Sequence, residues 1–127
     1  MKKLIISIAA LAISTGAALA QDVAAGEQSF KKCSVCHKIG EGATNSIGPI
    51  LNGLDGRKSG SVEDYSYSDA NKAAGIVWSE ATFKDYIQDP QARIPNTKMF
   101  YPGVKNEKEK GDLWAYLKQF DQSGKKK

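Results

Sequence analysis

The spacing of apolar residues near the amino end predicts an amphipathic helix. Gly26, Phe30 and Cys33 follow the i, i+4, i+7 spacing that places side chains on one helical face. Asp22 can cap the first turn of this helix, which we expect to run to about Cys33.

A second amphipathic helix is predicted near the carboxyl end. Asn106 and Glu109 resemble a capping box and mark its start, and Gly124 lies just past its end. An apolar stripe with helical spacing follows the cap, formed by Leu113, Tyr116, Leu117 and Phe120.

Two shorter helices are expected between these. Ser68 can cap a helix over Asp69–Ala74, which Gly75 would end. Ser79 can cap another, which Pro90 would stop. The apolar face of the latter contains Phe83, Tyr86 and Ile87.

Long polar segments separate the predicted helices. Residues 38–66 are rich in Gly, Ser and Asn, and residues 90–105 contain three prolines, so we expect loops or turns in both. Such long loops are unusual in a compact domain unless they wrap something large. The pattern therefore predicts an all-α domain built around a bulky cofactor.

The first twenty residues predict a cleaved secretory signal peptide. Lysines at positions 2 and 3 precede a mostly apolar, alanine-rich run, and Ala18-Leu19-Ala20 is an A-x-A cleavage pattern. The alternative is a membrane anchor, but the run is short for a spanning helix of ~20 residues. We expect residues 1–20 to be removed and residues 21–127 to form one periplasmic domain.

The charge of the expected mature chain argues against a nucleic-acid binder. The full chain has 18 Lys and Arg residues against 14 Asp and Glu, so loss of the two leader lysines leaves 16 against 14, a net charge of +2. Three of the positive charges are Lys125–Lys127, which we expect to fray in solvent. Any electrostatic role must depend on where the charges lie. After cleavage, no membrane span is expected.

The segment Cys33-Ser34-Val35-Cys36-His37 has the C-x-x-C-H pattern by which c-type haem is attached. Each thiol can form a thioether to a haem vinyl group, and the imidazole can ligate the iron. The chain contains no other cysteine or histidine. The motif therefore predicts one covalent haem c with Cys33, Cys36 and the iron ligand His37.

Three other interpretations of this motif are weaker. A thioredoxin-like redox pair would be expected within a βαβ pattern, for which the sequence shows no clear strands. A structural zinc site needs about four nitrogen or sulfur ligands, and the motif supplies three. A disulfide would close a very short loop and add little stability.

The second axial position of a haem iron can be open, for ligand binding or peroxidase chemistry, or closed, for electron transfer. Once Met1 leaves with the signal peptide, Met99 is the only methionine, and it follows Pro95 in a proline-rich loop. A loop methionine can also simply pack on the core. We predict that Met99 closes the position; a nearby lysine such as Lys98 is the alternative ligand.

Blocks of residues along the whole expected mature chain resemble the class I cytochrome c family, most of all the bacterial cytochrome c2 group. The resemblance implies a small single-domain fold of helices and loops wrapped around one covalent haem. The blocks are Gly26–Phe30, Cys33–His37, Gly48-Pro49, Leu51–Leu54, Gly56–Gly60, Tyr65–Lys72, Gly75–Trp78, Ile94–Met99 and Leu113–Leu117.

The resemblance implies roles that spacing alone does not assign. The Pro49 carbonyl is expected to accept a hydrogen bond from the free ring nitrogen of His37, which would fix the histidine tautomer. Tyr67 and Trp78 are expected to bond a haem propionate, with Arg57 nearby to offset its charge.

Three polar residues are expected around the sulfur of Met99, namely Asn71, Tyr86 and Thr97. Plain core packing is the alternative for Trp78 and Tyr86. The resemblance also implies that Gly26 and Phe30 cross the last helix, at Leu113 and Tyr116, because glycine lets two backbones come close.

The resemblance implies a soluble electron carrier that is not an enzyme. Expected partners are membrane redox complexes, with a bc-type donor and a photosynthetic reaction centre or terminal oxidase as acceptor. We expect a monomer that docks transiently through lysines near the haem edge: Lys32, Lys38, Lys98 and Lys105. The rival classes are a haem peroxidase or gas-binding protein and a haemless dithiol oxidoreductase.

Overall fold

Helices and turns make up the fold. The computed structural model describes residues 20–127, so the predicted signal peptide lies outside the described residues except for Ala20. The helices are α1, Val23–Phe30; α2, Asp69–Ala73; α3, Glu80–Ile87; α4, Pro90–Arg93; and α5, Glu107–Leu117. Over this range the β-structure is limited to isolated bridges, and the all-α prediction is confirmed. No helix within residues 20–127 has the length and apolar character needed to cross a membrane.

Side-chain caps fix where the helices begin. The Asp22 carboxylate accepts the N–H of Ala25 at 3.1 Å, and the Asn106 side chain accepts that of Glu109 at 3.0 Å. Helix α1 ends at Phe30, before the predicted end near Cys33. The chain tightens there into turns because its N–H groups bond carbonyls three residues back, as Cys33 does to Phe30 at 2.8 Å.

Helices α1 and α5 cross at Gly26, the position at which α1 carries no side chain. A Cβ atom on Gly26 would lie 1.9 Å from the carbonyl oxygen of Asp112 and 2.9 Å from the Cβ atom of Tyr116. The rings of Phe30 and Tyr116 pack with their centroids 5.4 Å apart. The predicted crossing at Tyr116 is confirmed, and it depends on the missing side chain at Gly26.

A short helix, α4, lies where the sequence predicted only loop. Asp89 caps it by accepting the N–H of Ala92 at 3.1 Å, and Pro90 occupies the first helical turn. Proline suits that place because its missing N–H would have no partner there and its φ angle is already helical. The prediction of a continuous loop over residues 90–105 is therefore wrong at its start. Helix α3 ends at Ile87, and Pro90 begins the next helix.

The carboxyl terminus is folded rather than frayed. Residues 119–127, here called the C-terminal hairpin, double back so that Phe120 forms a bridge with Lys126. The N–H of Lys127 donates to the carbonyl of Gln119 at 2.7 Å, and the Lys126 ammonium lies 5.9 Å from the centroid of the Phe120 ring. The expectation that the last lysines fray in solvent is wrong, because this return gives their backbone partners.

The hydrophobic core lies between α3, α5 and the segment that follows α2. Leu113 and Trp114 of α5 are almost completely buried, and their helix packs against the aromatic residues of α3. The rings of Phe83 and Trp114 lie 5.3 Å apart. One side of this core faces a cavity, and two of its side chains, Phe83 of α3 and Leu113 of α5, form part of the cavity wall.

Candidate functional site

All eleven residues predicted for the site line one cavity of about 220 Å³. The Cys33–His37 segment after α1, here called the attachment segment, forms one side of the cavity, and the loop after α4 forms another. Residues far apart in sequence therefore face a common space. Apolar core side chains form much of the remaining wall, among them Leu51, Leu54, Phe83, Ile87, Leu113 and Leu117.

Turns after α1 present the two cysteines. The N–H groups of Cys36 and His37 both donate to the carbonyl of Cys33, at 3.0 and 2.9 Å. No disulfide joins the two cysteines. Burial raises the pKa of the Cys33 thiol to about 11. A catalytic redox cysteine needs the opposite shift, towards the thiolate, so this environment argues against a dithiol oxidoreductase.

The His37 ring is held by a backbone carbonyl. Its Nδ1 atom lies 2.7 Å from the Pro49 oxygen, and the bond requires the proton on Nδ1, which leaves Nε2 as the free nitrogen. Burial lowers the pKa of the imidazole, so the neutral form is favoured. A Cβ atom on Gly48 would lie 2.4 Å from the ring, which shows how closely this loop covers the histidine.

On the other side of the cavity, two hydroxyl groups surround Met99. The Tyr86 hydroxyl donates to the Met99 sulfur at 3.0 Å, and the Thr97 hydroxyl accepts the Met99 N–H at 3.2 Å. Burial raises the pKa of Tyr86 to about 12, so its proton stays on the oxygen at neutral pH. The Trp78 ring meets the Tyr86 ring edge-on, with the centroids 5.0 Å apart.

A polar wall joins these two sides. The Arg57 guanidinium donates through Nη1 to the carbonyls of Ile50 and Asn52, at 2.9 and 3.1 Å. The Tyr67 hydroxyl accepts the N–H of Val62 at 3.1 Å, so its own proton is available for another acceptor. Burial lowers the pKa of Arg57, yet guanidinium remains protonated in proteins. The wall therefore brings a cation and a hydroxyl donor to the cavity.

The cavity fits a haem c. It combines two thiols at C-x-x-C spacing, an imidazole, a thioether and an apolar wall, which is the donor set for covalent attachment and iron ligation. The Oδ1 atom of Asn71 is buried without a hydrogen-bond partner among the described residues. Buried polar atoms are normally paired, so this acceptor indicates that the cavity holds a further polar group or water.

Some features of the site have no local sequence signal. Lys32 pairs with Glu109 of α5 at 2.7 Å, across the junction between the two ends of the chain. Two apolar side chains at the cavity, Ile47 and Phe100, are 71% and 83% exposed. The Tyr65 hydroxyl donates to the Ile47 carbonyl at 2.7 Å and so ties this rim to a distant loop. Only the fold brings these residues together.

Comparison with known proteins identifies relatives of this site and fold. The family model described as "Cytochrome c" matches residues 23–121. A cytochrome c2 of Rhodoplanes tepidamans is 63% identical over 107 residues, covering 84% of this chain and 100% of the relative. The cytochrome c2 of Blastochloris viridis is 56% identical over 127 residues, covering 100% of both chains.

A solved structure agrees with these sequence matches. The cytochrome cH from Methylobacterium extorquens superposes with a TM-score of 0.71 at 41% identity, covering 76% of this chain and 97% of that one. The matches span nearly the whole described chain, including both sides of the cavity. The protein belongs to the cytochrome c family, whose members are electron carriers, not enzymes, and hold a covalent haem c with iron.

Proposed function

We propose that this protein is a soluble periplasmic electron carrier whose single haem is attached through Cys33 and Cys36 and ligated by His37 and Met99. The observation that carries the proposal is that the chain's only imidazole and the sulfur of Met99 line one cavity with both thiols. A bound haem iron supplies reversible one-electron exchange, and the protein makes or breaks no substrate bond.

The proximal side supports histidine ligation by orienting the ring. Because Pro49 holds the Nδ1 proton, Nε2 is left unprotonated and available to a metal. Burial favours the neutral imidazole, so no proton has to be displaced from the ligating nitrogen at neutral pH. The same hydrogen bond increases the basicity of the ligand.

The distal side supports ligation by Met99 rather than an open position. Tyr86 and Thr97 hold the sulfur and the backbone of Met99, which reduces the freedom of the side chain to swing away. A closed position suits electron transfer, because small ligands are excluded from the iron. We therefore favour a carrier over a peroxidase or gas-binding protein.

The remaining predicted residues have proposed roles towards the polar edge of the haem. Arg57 would offset the charge of a propionate, and Tyr67 and Trp78 would donate hydrogen bonds to it. The partnerless Oδ1 of Asn71 supports a role for that residue in the polar cluster near the Met99 sulfur.

The partners we propose are a bc-type donor and a reaction centre or terminal oxidase as acceptor. Lys98 lines the cavity and is exposed, and within residues 20–127 its ammonium hydrogen-bonds the Ser66 carbonyl alone, at 3.3 Å. Lys32 is partly compensated by Glu109. We therefore assign Lys98 more weight in docking than Lys32, with Lys38 and Lys105 as further contributors.

Export through residues 1–20 is part of the proposal. The match to the Blastochloris viridis cytochrome c2 extends over the whole chain, so that relative has a counterpart of these residues. Amino-terminal sequencing of protein purified from the periplasm should begin at Gln21. A protein that keeps Met1 would contradict cleavage.

The covalent haem is tested by acid–acetone extraction followed by denaturing electrophoresis and a haem stain. The haem should stay with the polypeptide, and in the Cys33→Ser, Cys36→Ser double variant it should be extracted. Carbon monoxide should leave the spectrum of the reduced wild type unchanged. Haem that leaves the wild-type chain would refute attachment, and rapid carbon monoxide binding would favour the gas-binding class.

A further inference from the structure

Two segments of the chain run side by side on the proximal side of the cavity. Residues 36–40 contain the histidine, and residues 48–52 contain the carbonyl that holds it. A series of hydrogen bonds joins them: Gly48 N to Cys36 O at 2.7 Å, His37 Nδ1 to Pro49 O at 2.7 Å, Leu51 N to Lys38 O at 3.0 Å, and the Asn52 side chain to Gly40 N and O at 2.8 and 2.9 Å. We call this pair of segments the proximal ladder.

The C-terminal hairpin is a folded unit of its own. The Asp121 carboxylate accepts the N–H of Ser123 at 2.9 Å, the Ser123 hydroxyl at 2.7 Å and the N–H of Lys125 at 3.0 Å. The N–H of Asp121 donates back to the Lys125 carbonyl at 2.8 Å. These bonds close the turn and hold Gly124 in one orientation.

The hairpin contacts one segment of the proximal ladder, and the residue directly after the other, at the same end. Gly124 is buried, and a Cβ atom on it would lie 2.1 Å from the Gly40 oxygen and 2.6 Å from the Glu41 nitrogen. The N–H of Gly53 donates to the Phe120 carbonyl at 3.1 Å. One segment is thus covered by Gly124, and the chain directly after the other is bonded to Phe120.

We infer that the C-terminal hairpin is a positioning element for His37, with Gly124 as the residue through which it acts. By contacting Gly40 and Gly53 at one end of the ladder, the hairpin keeps the two segments in register, and this register sets the approach of the Pro49 carbonyl to Nδ1. The inference rests on the proposed role of His37 as iron ligand.

The physical consequence concerns the oxidised state. A strong hydrogen bond from Nδ1–H makes the imidazole a better electron donor, which favours ferric iron. If the ladder loosens, this bond weakens and the reduction potential should rise. A hairpin that merely covers the surface would change the free energy of unfolding without changing the potential.

The test uses two variants of the holoprotein. Gly124→Ala places a methyl group against the Gly40 backbone. Gly124 itself has a φ angle of +85°, which alanine rarely adopts. Deletion of residues 121–127 removes most of the hairpin but keeps Phe120 and the core, so it is informative even if Gly124→Ala folds poorly. Gly75→Ala is the control, because Gly75 has a φ angle of +67° and a Cβ atom there would meet nothing within 4 Å.

The reduction potential and the solvent exchange of the His37 Nδ1 proton, followed by NMR, are the readouts. Both hairpin variants should raise the reduction potential and should increase the exchange rate of the Nδ1 proton about tenfold. The control variant should change neither quantity. Unchanged values in the hairpin variants, or equal changes in Gly75→Ala, would overturn the inference. A wild type whose His37 ring signals show no haem shift would instead refute the ligand assignment itself.

Discussion

At the scale of single residues, short hydrogen bonds hold the two proposed iron ligands. Pro49 holds Nδ1 of His37 at 2.7 Å, and Tyr86 donates to the Met99 sulfur at 3.0 Å. The two bonds have opposite effects. The first makes the histidine a better donor, and the second withdraws electron density from the sulfur, so each should shift the relative stability of the ferric and ferrous states.

Tyr86→Phe tests the second effect. Loss of the hydroxyl should make the sulfur a stronger donor, favour ferric iron and lower the reduction potential, while stability changes by only about 1 kcal/mol. Potentiometric titration measures the shift. Tyr65→Phe is the control, because that hydroxyl donates to the Ile47 carbonyl rather than to the sulfur. A potential that is equal in Tyr86→Phe and the wild type would show that the bond to sulfur does not tune the iron.

The thiols, the imidazole and the thioether of the cavity could be picked out from the sequence because the chain contains few residues of these types. The only histidine, the only two cysteines and the one methionine beyond residue 20 left little choice. The pairing of Lys32 with Glu109 and the exposure of Phe100 could not be predicted in this way. Both depend on how distant segments meet, which no local spacing records.

At the scale of elements, α1 packs across α5, so that the two ends of the domain meet, and the Cys33–His37 segment follows α1. Gly26 allows the backbones to meet, and the Asp112 carboxylate accepts the N–H of Asp22 at 2.8 Å and the Lys108 ammonium at 2.7 Å. The junction therefore combines close packing with a paired charge, and the two contributions can be separated by substitution.

Gly26→Ala should destabilise the protein through overpacking. A Cβ atom 1.9 Å from the Asp112 carbonyl forces the helices apart, and such strain costs roughly 1–3 kcal/mol or more. Denaturant unfolding of the holoprotein measures the change. Gly111→Ala on α5 is the matched control, because its Cβ atom would have no neighbour closer than 3.6 Å and alanine favours helix by up to about 1 kcal/mol. Equal stability of the two variants would contradict the close crossing.

Asp112 should make stability depend on pH. Its hydrogen bond with Lys108 lowers the pKa of the carboxyl below the ordinary value of 3.8. The stabilisation is therefore present above about pH 4 and lost as the pH falls through the lower pKa of the folded state. Asp112→Asn should lose roughly 1 kcal/mol at pH 7 and show a weaker decline in acid, measured by unfolding across pH. The exposed Asp55, as Asp55→Asn, is the control, and identical acid profiles of Asp112→Asn and wild type would contradict the prediction.

The amino ends of α3 and α5 were predicted because a side-chain cap and an apolar stripe agree there. The predicted end of the last helix, just before Gly124, was wrong, because α5 ends at Leu117. The prediction failed at α4, because proline is compatible with the start of a helix as well as with its end and the Asp89 cap decided between them. It failed again at the last lysines, whose backbone partners lie in residues 119–121. A short return of this kind has no periodic pattern to reveal it.

At the scale of the whole molecule, the proposed docking depends on where charged side chains lie around the cavity. Lys98 is exposed at the cavity, whereas Lys32 pairs there with Glu109 at 2.7 Å. Complementary charge mainly speeds the encounter of redox partners. Salt screens such interactions over ~8 Å at physiological ionic strength.

The rate of electron transfer with an acidic redox partner should therefore fall as salt rises. Lys98→Gln should slow the reaction at low salt, and Glu109→Gln should speed it by leaving Lys32 uncompensated. Flash photolysis measures the second-order rate constants. Lys126→Gln, in the C-terminal hairpin, is the charge-matched control for Lys98→Gln. Rates that are independent of salt, or an equal effect of both lysine substitutions, would contradict steering at the haem edge.

Ligation of the iron by Met99 is the central claim, and proton NMR of the reduced holoprotein tests it most directly. A methyl group bound through sulfur to haem iron lies over the porphyrin, whose ring current moves its resonance far upfield. Met99 is the only methionine from Gln21 onwards, so the assignment is unambiguous. We predict one methyl signal shifted upfield of the protein envelope and absent from Met99→Ala. A Met99 methyl signal at its ordinary position would contradict the account.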